Sequence, residues 1–474
     1  MRNVAKPALG AVTLALFLSG CVRLRYHPQP LSPPVAASFL EARRLDDVSL
    51  KKFLEENLHR PVKTWPLKRW DLNTLTLAAY YFNPALEVER ARVGTAEAAV
   101  VTAGARPNPT LSIVPGVPSP YLFELDFSVP IETHGKRGIR IERAQNLSEA
   151  ARLGLANAAW KVRGKVRTAL TNYFLAVRQV GLLRMEDRLQ SEQVKLLDER
   201  LVAGEISRPE VDFSRLAFAN TQVALRAAEG RIPETKAALA AAIGIPVVAL
   251  DSVELAWPDF ESPPSIGSLS PERIQREAVL NRLDIRQALA NYAAAESNLN
   301  LEIARQYPDF RIGPGYRFEE TDNFFTVGFS VTLPIFNRNQ GPIAEAEARR
   351  KEAAASFLGT QAQLIAETEG ALARYRSALS ELAEATDPLL KIQETREQMA
   401  ERGLKIGELD RLALNTVALE RLGGLMTQLS ALGRARTALG ELEDAVQRPL
   451  EQGEIEPVTP DSFASTKPAE GAKQ

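Results

Sequence analysis

The chain has 474 residues, with 58 Lys and Arg against 59 Asp and Glu, a formal net charge of −1 at pH 7. That balance gives no global attraction to nucleic acid. Three histidines and four methionines leave little for a soft-metal site, and the single cysteine excludes an internal disulfide or a multi-cysteine metal centre.

Residues 1–20 have the form of a secretory signal. Arg2 and Lys6 supply the positive start, and Ala8 to Leu18 an apolar run too short to serve as a mature membrane span. Leu18-Ser19-Gly20-Cys21 resembles a bacterial lipobox, which implies cleavage before Cys21 and lipid on its sulfur. Val22 in the following position, where an aspartate would retain a lipoprotein, implies sorting to the outer membrane. No later apolar run is long enough for a transmembrane helix. Residues 21–70 open with Pro28, Pro30, Pro33 and Pro34 and predict a lipid-anchored tether, followed by a short helix near Val48–Leu58.

A first unit spans residues 71–243. Asp71 is a candidate cap for a helix with Leu72, Leu75, Leu77 and Ala78 at apolar spacing, and Asn83-Pro84 interrupts it. A second helix ends before Pro107. Strands are predicted near Thr110–Val114 and Leu122–Ile131; in the latter Phe123, Leu125, Phe127, Val129 and Ile131 alternate with Glu124, Asp126, Ser128 and Pro130. Helix returns near Gly138 and runs to about Val202, far beyond the usual globular length, so it must pack lengthwise against others. Gly204 to Pro209 breaks it, and a further helix reaches Ile243. Residues 244–270 form a Pro-rich linking segment.

The plan repeats in residues 271–447. A helix from Pro271 to Gln306 precedes strands at about 309–318 and 324–335. In the second of these Phe325, Val327, Phe329, Val331, Leu333 and Ile335 alternate with Thr326, Gly328, Ser330 and Thr332. A long helix from Gly341 to Ile406 carries a kink expected at Pro388, Gly407-Glu408 breaks it, and a last helix reaches Gln447. Residues 448–474 are polar and predicted disordered. The duplication is visible residue by residue. Ala91, Ala96, Ala105, Pro109, Ile113 and Gly116 recur as Ala290, Ala295, Ala304, Pro308, Ile312 and Gly315; Pro130 pairs with Pro334, and Gly204-Glu205 with Gly407-Glu408. The offset grows between these groups, which predicts a longer loop in the second hairpin. An internal repeat of about 200 residues means two halves packed as equivalents.

Asn83-Pro84, Gly135-Lys136-Arg137, Arg305 to Pro308, Gly313 to Tyr316 and above all Leu333-Pro334-Ile335-Phe336-Asn337-Arg338-Asn339-Gln340-Gly341 together resemble the outer-membrane efflux protein family, the TolC-like channels. The last motif is similar to the branch serving heavy-metal pumps. The resemblance implies a mainly α fold with membrane β, two helix–strand–strand–helix repeats, and a homotrimer forming a twelve-stranded β-barrel above a long periplasmic α-helical barrel. It implies a passive exit duct with no enzymatic activity and no cofactor, working with a periplasmic adaptor and an inner-membrane pump of the RND type, most naturally for heavy-metal cations. Drug or organic-solute efflux, or a type I secretion duct, remains an alternative, and a periplasmic coiled-coil scaffold or adaptor lipoprotein is the competing class.

Elementary physics points to the same assembly. Four short strands cannot close a membrane barrel alone, and open edges in lipid leave N–H and C=O groups unsatisfied. Phe123, Leu125, Phe127, Val129, Phe325, Val327, Phe329, Val331 and Leu333 would face lipid, and Glu124, Asp126, Ser128, Thr326, Ser330 and Thr332 would face water. The resemblance places adaptor docking at two hairpin tips: Leu201, Val202, Ala203, Gly204, Glu205 and Ser207 in one, Leu404, Lys405, Ile406, Gly407, Glu408 and Leu409 in the other. Near them Glu210, Asp212 and Asp410 would form rings of carboxylates at the entrance of a trimer, favouring cations. The alternative is a solvated helix face with Arg208, Arg215 and Arg411 as partners. The stretch Leu412 to Thr416 holds no acid. Gly135 to Arg137 and Asn337 to Gly341 read as strand-to-helix joints, with Pro130 and Pro334 ending the ladders. His27, His59 and His134 are far apart, and no metal site, nucleotide loop or nucleophile elbow is present in the sequence.

Overall fold

The computed structural model describes residues 26–117, 121–265 and 280–451, together with residues 274, 276 and 278. The signal segment, Cys21 and the tail beyond residue 451 lie outside the described residues. The chain divides into two compact units, residues 1–42 and 43–474. The first contains helix α1, Pro33–Glu41, which starts on prolines and buries none of its residues.

The second unit is folded from its beginning, so the stretch predicted as a tether is structured from residue 43 onward. Helix α2, Val48–Leu58, is capped by Asp47 and buries Leu50, Phe53 and Leu54. Strand β1, Arg69–Trp70, pairs in parallel with β4, Glu254–Leu255, so the linking segment 244–270 is stitched to the start of the unit. Helix α3, Leu72–Phe82, begins with Asp71 and Thr74 exchanging hydrogen bonds at 2.9 Å in each direction, as expected for a capping box. Asn83 then caps α4, Pro84–Gly104, through the Ala85 amide at 2.9 Å, and its side-chain amide donates to Ala242 O at 2.8 Å. Arg43 donates to the carbonyls of Phe82 and Gly244 at 2.6 and 2.8 Å, which satisfies two helix C-termini at once.

Strands β2, Thr110–Gly116, and β3, Leu122–Ile131, lead into α5, Lys136–Val202, a helix of 67 residues. At 1.5 Å per residue it is about 100 Å long. Its antiparallel partner α6, Arg208–Ile243, has 36 residues. The second repeat contains α7, Leu283–Ala304, strands β5, Phe310–Glu319, and β6, Asp322–Val331, helix α8, Gln340–Glu384, α9, Leu390–Ile406, and α10, Arg411–Val446, again 36 residues. Between α8 and α9 lies one π-helical turn, Ala385–Leu389, containing Pro388. A proline inside a helix lacks an N–H and crowds the carbonyl four residues back, and widening the turn relieves both. The predicted kink is therefore a π-bulge.

The main hydrophobic core lies where α2, α3, the ends of α4 and α6 and the middle of α5 meet, around Trp70, Leu75, Leu86, Val166, Leu170 and Leu239. A second core joins α8 to α10 through Leu372, Tyr375, Ala435, Leu439 and Leu442. Toward the tips only small clusters remain, such as Val180, Leu183 and Ala228. No described helix is long and apolar enough to cross a membrane.

Candidate functional site

The four longer strands form one antiparallel sheet in the order β2-β3-β5-β6. Opposed residues of neighbouring strands share a face. Leu111 opposes Phe127, Leu125 opposes Tyr316, and Tyr316 opposes Phe325; Ile113, Val129, Ile312 and Phe329 fall in the same set. One face is therefore apolar across all four strands except for Asn323 beside the second hairpin loop, and the other carries Ser112, Glu124, Asp126, Arg317, Thr326 and Ser330. Phe325, Val327 and Phe329 are 85, 78 and 65 % exposed. Phe123 is exposed as well, whereas Leu125, Phe127 and Val129, on the inner strand, are half-buried. On the polar face, a Cβ at Gly313 would overlap the Phe127 carbonyl oxygen, and one at Gly315 the Asp126 carboxylate. These glycines let β5 press against β3 where Pro314 has no N–H to give and the ladder lapses opposite Phe127 and Ser128.

Three expectations are corrected here. The second hairpin has the shorter loop, Glu320 and Thr321, because its additional residues extend the paired strands. Strand β6 stops at Val331, so Leu333 and Ile335 lie beyond the sheet, both 66 % exposed. Pro130 does not end its ladder but pairs with Arg311 inside β3. Strand β2 has already ended at that level, since its first residue Thr110 opposes Ser128. On that side a missing N–H breaks no ladder bond.

The strand-to-helix joints are built from buried polar contacts. Gly135 and Asn339 cap α5 and α8 in the left-handed conformation, at φ +66° and +64°. The Lys136 ammonium, nearly buried, donates to Tyr307 O at 2.6 Å and Asp309 Oδ1 at 2.7 Å, and Asp309 also accepts from the Thr133 amide at 2.9 Å. Lys136 is thus turned into the protein. His134 stacks on Tyr307. Asn339 donates to Glu302 O at 2.7 Å and to its carboxylate at 3.0 Å. Burial raises the Glu302 carboxyl, but the bonds from Asn339 and Arg305 outweigh it and leave it below its ordinary value.

At the far end, Gly204 and Gly407, both at φ +78°, turn α5 into α6 and α9 into α10. Val202 and Ile406 are 90 and 69 % exposed. Ala203, Glu205, Ser207, Lys405, Glu408 and Leu409 are exposed, and Leu201 and Leu404 half-buried. The carboxylates expected as rings have partners within the protomer. Glu210 closes a capping box with Ser207, whose hydroxyl donates at 2.7 Å and holds the carboxyl below its usual range. Asp410 caps α10 by accepting from the Ala413 amide at 2.8 Å, and pairs with Arg200 of the other hairpin. Asp212 reaches only Arg215, at 3.7 Å.

Sequence reasoning missed a buried ionic cluster midway along α5. Glu443 of α10 is fully buried, accepts from Arg163 at 2.9 Å and pairs with Arg167. Arg436 donates to Phe260 O at 2.8 Å and pairs with Glu451, while Trp160 Nε1 donates to Asp444 Oδ1 at 2.9 Å. Arginines spaced at 163 and 167 on an otherwise apolar helix face were the available signal. Among the described residues no group of three or more His, Cys, Asp or Glu is placed to hold a metal ion.

The model of the family described as "Outer membrane efflux protein" matches residues 79–245 and 274–446. The cobalt-zinc-cadmium resistance protein CzcC of Cupriavidus metallidurans is 28 % identical over 252 residues, 50 % of this chain and 56 % of that one. The pyoverdine export outer membrane protein OpmQ of Pseudomonas putida is 24 % identical over 261 residues, 53 % of this chain and 54 % of that one. The chain thus matches about half the length of each, 56 and 54 %. The crystal structure of the outer membrane protein VceC of Vibrio cholerae superposes with a TM-score of 0.64 at 20 % identity, covering 79 % of this chain and 95 % of that one.

Proposed function

Because the chain belongs to the outer membrane efflux protein family, we propose that it is the outer-membrane exit duct of a tripartite efflux system, passive, trimeric and acylated at Cys21. One observation carries the reading: a four-stranded sheet with one predominantly apolar face and two open edges, mounted on helical hairpins about 100 Å long. Neither open edge is tolerable in lipid, and three copies close a twelve-stranded barrel with the apolar face outward and Glu124, Asp126 and Arg317 lining water. The exposed tips around Val202 and Ile406 are the surface for a periplasmic adaptor and, through it, an inner-membrane pump of the RND type. Dilation at the entrance would have to part Arg200 from Asp410.

Heavy-metal cations are the favoured cargo, supported by the similarity to CzcC. The test has two arms. Purified mature protein should need detergent, have the mass of three protomers by light scattering, and conduct ions in a planar bilayer; a stable water-soluble monomer overturns the duct. A strain lacking the protein should become sensitive to divalent or monovalent metals and recover on complementation. Sensitivity to dyes and antibiotics instead would keep the duct and replace the cargo.

A further inference from the structure

Two offsets relate the strands of the repeats, one set by Ile113 and Gly116 recurring as Ile312 and Gly315 and the other by Pro130 recurring as Pro334, and the ladders agree with their sum. The pair Leu111–Phe127 of the first hairpin maps onto Phe310–Val331 of the second. Ile113–Leu125 maps onto Ile312–Phe329, and Gly116–Leu122 onto Gly315–Thr326; all six pairs are present. Thus β2 is the counterpart of β5 and β3 of β6, and the β3–β5 ladder is the contact between one hairpin unit and the next. The two free edges of the sheet belong to β6 and β2, the counterparts of the two strands that make that contact.

Moving the β3–β5 contact by the same offsets fixes how those edges meet. Ile131–Phe310 becomes Ile335–Leu111, Val129–Ile312 becomes Leu333–Ile113, and Leu125–Tyr316 becomes Phe329–Val117. We propose that β6 of one copy pairs antiparallel with β2 of a second copy in this register, and that residues 332–335, outside the sheet in the isolated protomer, become strand there.

Two observations unused in the mapping agree with it. Every pair joins apolar to apolar, so the lipid face stays continuous across the boundary. A slip of one residue would set Leu333 and Ile335 among the polar positions of β2. Leu111, Ile113, Leu333 and Ile335 are all more than half exposed in the protomer, at 58, 56, 66 and 66 %. The pair that sets the second offset, Pro130 and Pro334, is compatible with both strands. Pro130 is tolerated in its strand because β2 has ended beside it, and Pro334 lies past the end of β5 in the same way, since Phe310 opposes Val331. The motif from Leu333 to Ile335 is therefore a strand end completed by a neighbour.

The inference rests on the trimeric reading, and slips of two residues, which preserve the faces, are what must be excluded. The full-length protein carrying Ile113→Cys with Leu333→Cys, purified in detergent and oxidised with copper phenanthroline, should run as a covalent trimer on non-reducing gels. Directly opposed strand residues lie within disulfide reach. Leu111→Cys or Pro115→Cys combined with Leu333→Cys should crosslink at least tenfold less. Val117→Cys with Phe329→Cys tests the same register near the hairpin loops, should the first pair impair folding. Trimers that crosslink preferentially through a slipped pair overturn the register and leave the duct standing. Monomers by light scattering that crosslink through no pair overturn both.

Discussion

Glu443 is the residue whose replacement should cost most for the least change in shape. In Glu443→Leu the guanidinium groups of Arg163 and Arg167, with side chains 4 and 2 % exposed, lose their shared carboxylate. The Leu450 amide, which donates to Glu443 at 2.9 Å, loses its acceptor as well. Removing one partner of a buried ion pair costs about 3–5 kcal/mol, because the remaining charge cannot be rehydrated. With an unfolding entropy near 2.1 cal/mol/K per residue over roughly 400 ordered residues, that is a fall in Tm of about 4–6 °C. The assay is a far-ultraviolet circular dichroism melt in detergent beside the parent protein. Adding Arg167→Met to Glu443→Leu should recover part of the loss, since one uncompensated charge goes with it. A Tm within about 1 °C of the parent, or a double variant with simply additive losses, would refute the claim that this cluster is dry and mutually dependent.

Three other outcomes follow from the same reasoning. Burial pushes the Asp444 carboxyl above its ordinary value against the pull of Trp160, with Arg163, Arg167 and Glu443 around it. For an acid raised in this way the fold favours the protonated form, so stability is full below the ordinary carboxylate range and is lost as pH rises. Asp444→Asn, which keeps an acceptor for Trp160, should raise Tm at neutral pH and change little in acid. Asp410 is held low by the Ala413 amide, against a small burial effect and with help from Arg200. Its contribution is therefore complete above the ordinary range and lost only as pH falls below about 4. Spin labels at Val202→Cys and Ile406→Cys should report a constant separation in mild acid and a wider one below that point, and Arg200→Ala should give the wider one at neutral pH. Gly244, at φ +90°, has Phe82 O only 2.8 Å from where a Cβ would sit, whereas Gly204, at φ +78°, has nothing within 4 Å. Gly204→Ala should cost about 1–2 kcal/mol from its left-handed backbone alone, and Gly244→Ala clearly more by thermal melt.

Periodicity made the long elements legible. Helix α2 occupies the residues predicted for it, Val48–Leu58, and Asp71, Pro388 and the glycine breaks stand where the sequence put a cap, a kink and two turns. These are local signals, each set by residues within one or two turns of helix. What stayed hidden depends on neighbours distant along the chain. Nothing in Arg69-Trp70 announces a parallel partner at Glu254-Leu255, because a two-residue strand has no period. The hold of Glu443 on Arg163 and Arg167 spans two repeats, and an isolated arginine on a helix looks solvated until its surroundings are known. The end of β6 was misplaced for a related reason. Alternation continues through Leu333 and Ile335, yet within one protomer β5 runs out at Phe310, and a strand lasts only as long as its partner.

The equal helices of the two repeats also limit how the gene can change length. The tips meet through Arg200 and Asp410 only because α5 and the α8–α9 rod end level. One residue inserted anywhere in α5 would push everything beyond it about 1.5 Å along the axis and swing it about 100° around, carrying Arg200 off its face. Deleting a whole turn restores the phase but leaves one tip short. Natural variation in reach should therefore arrive as matched indels, in near-integral turns, at the same height in both halves of the chain, whereas the connections from β2 to β3 and from β5 to β6 can drift independently.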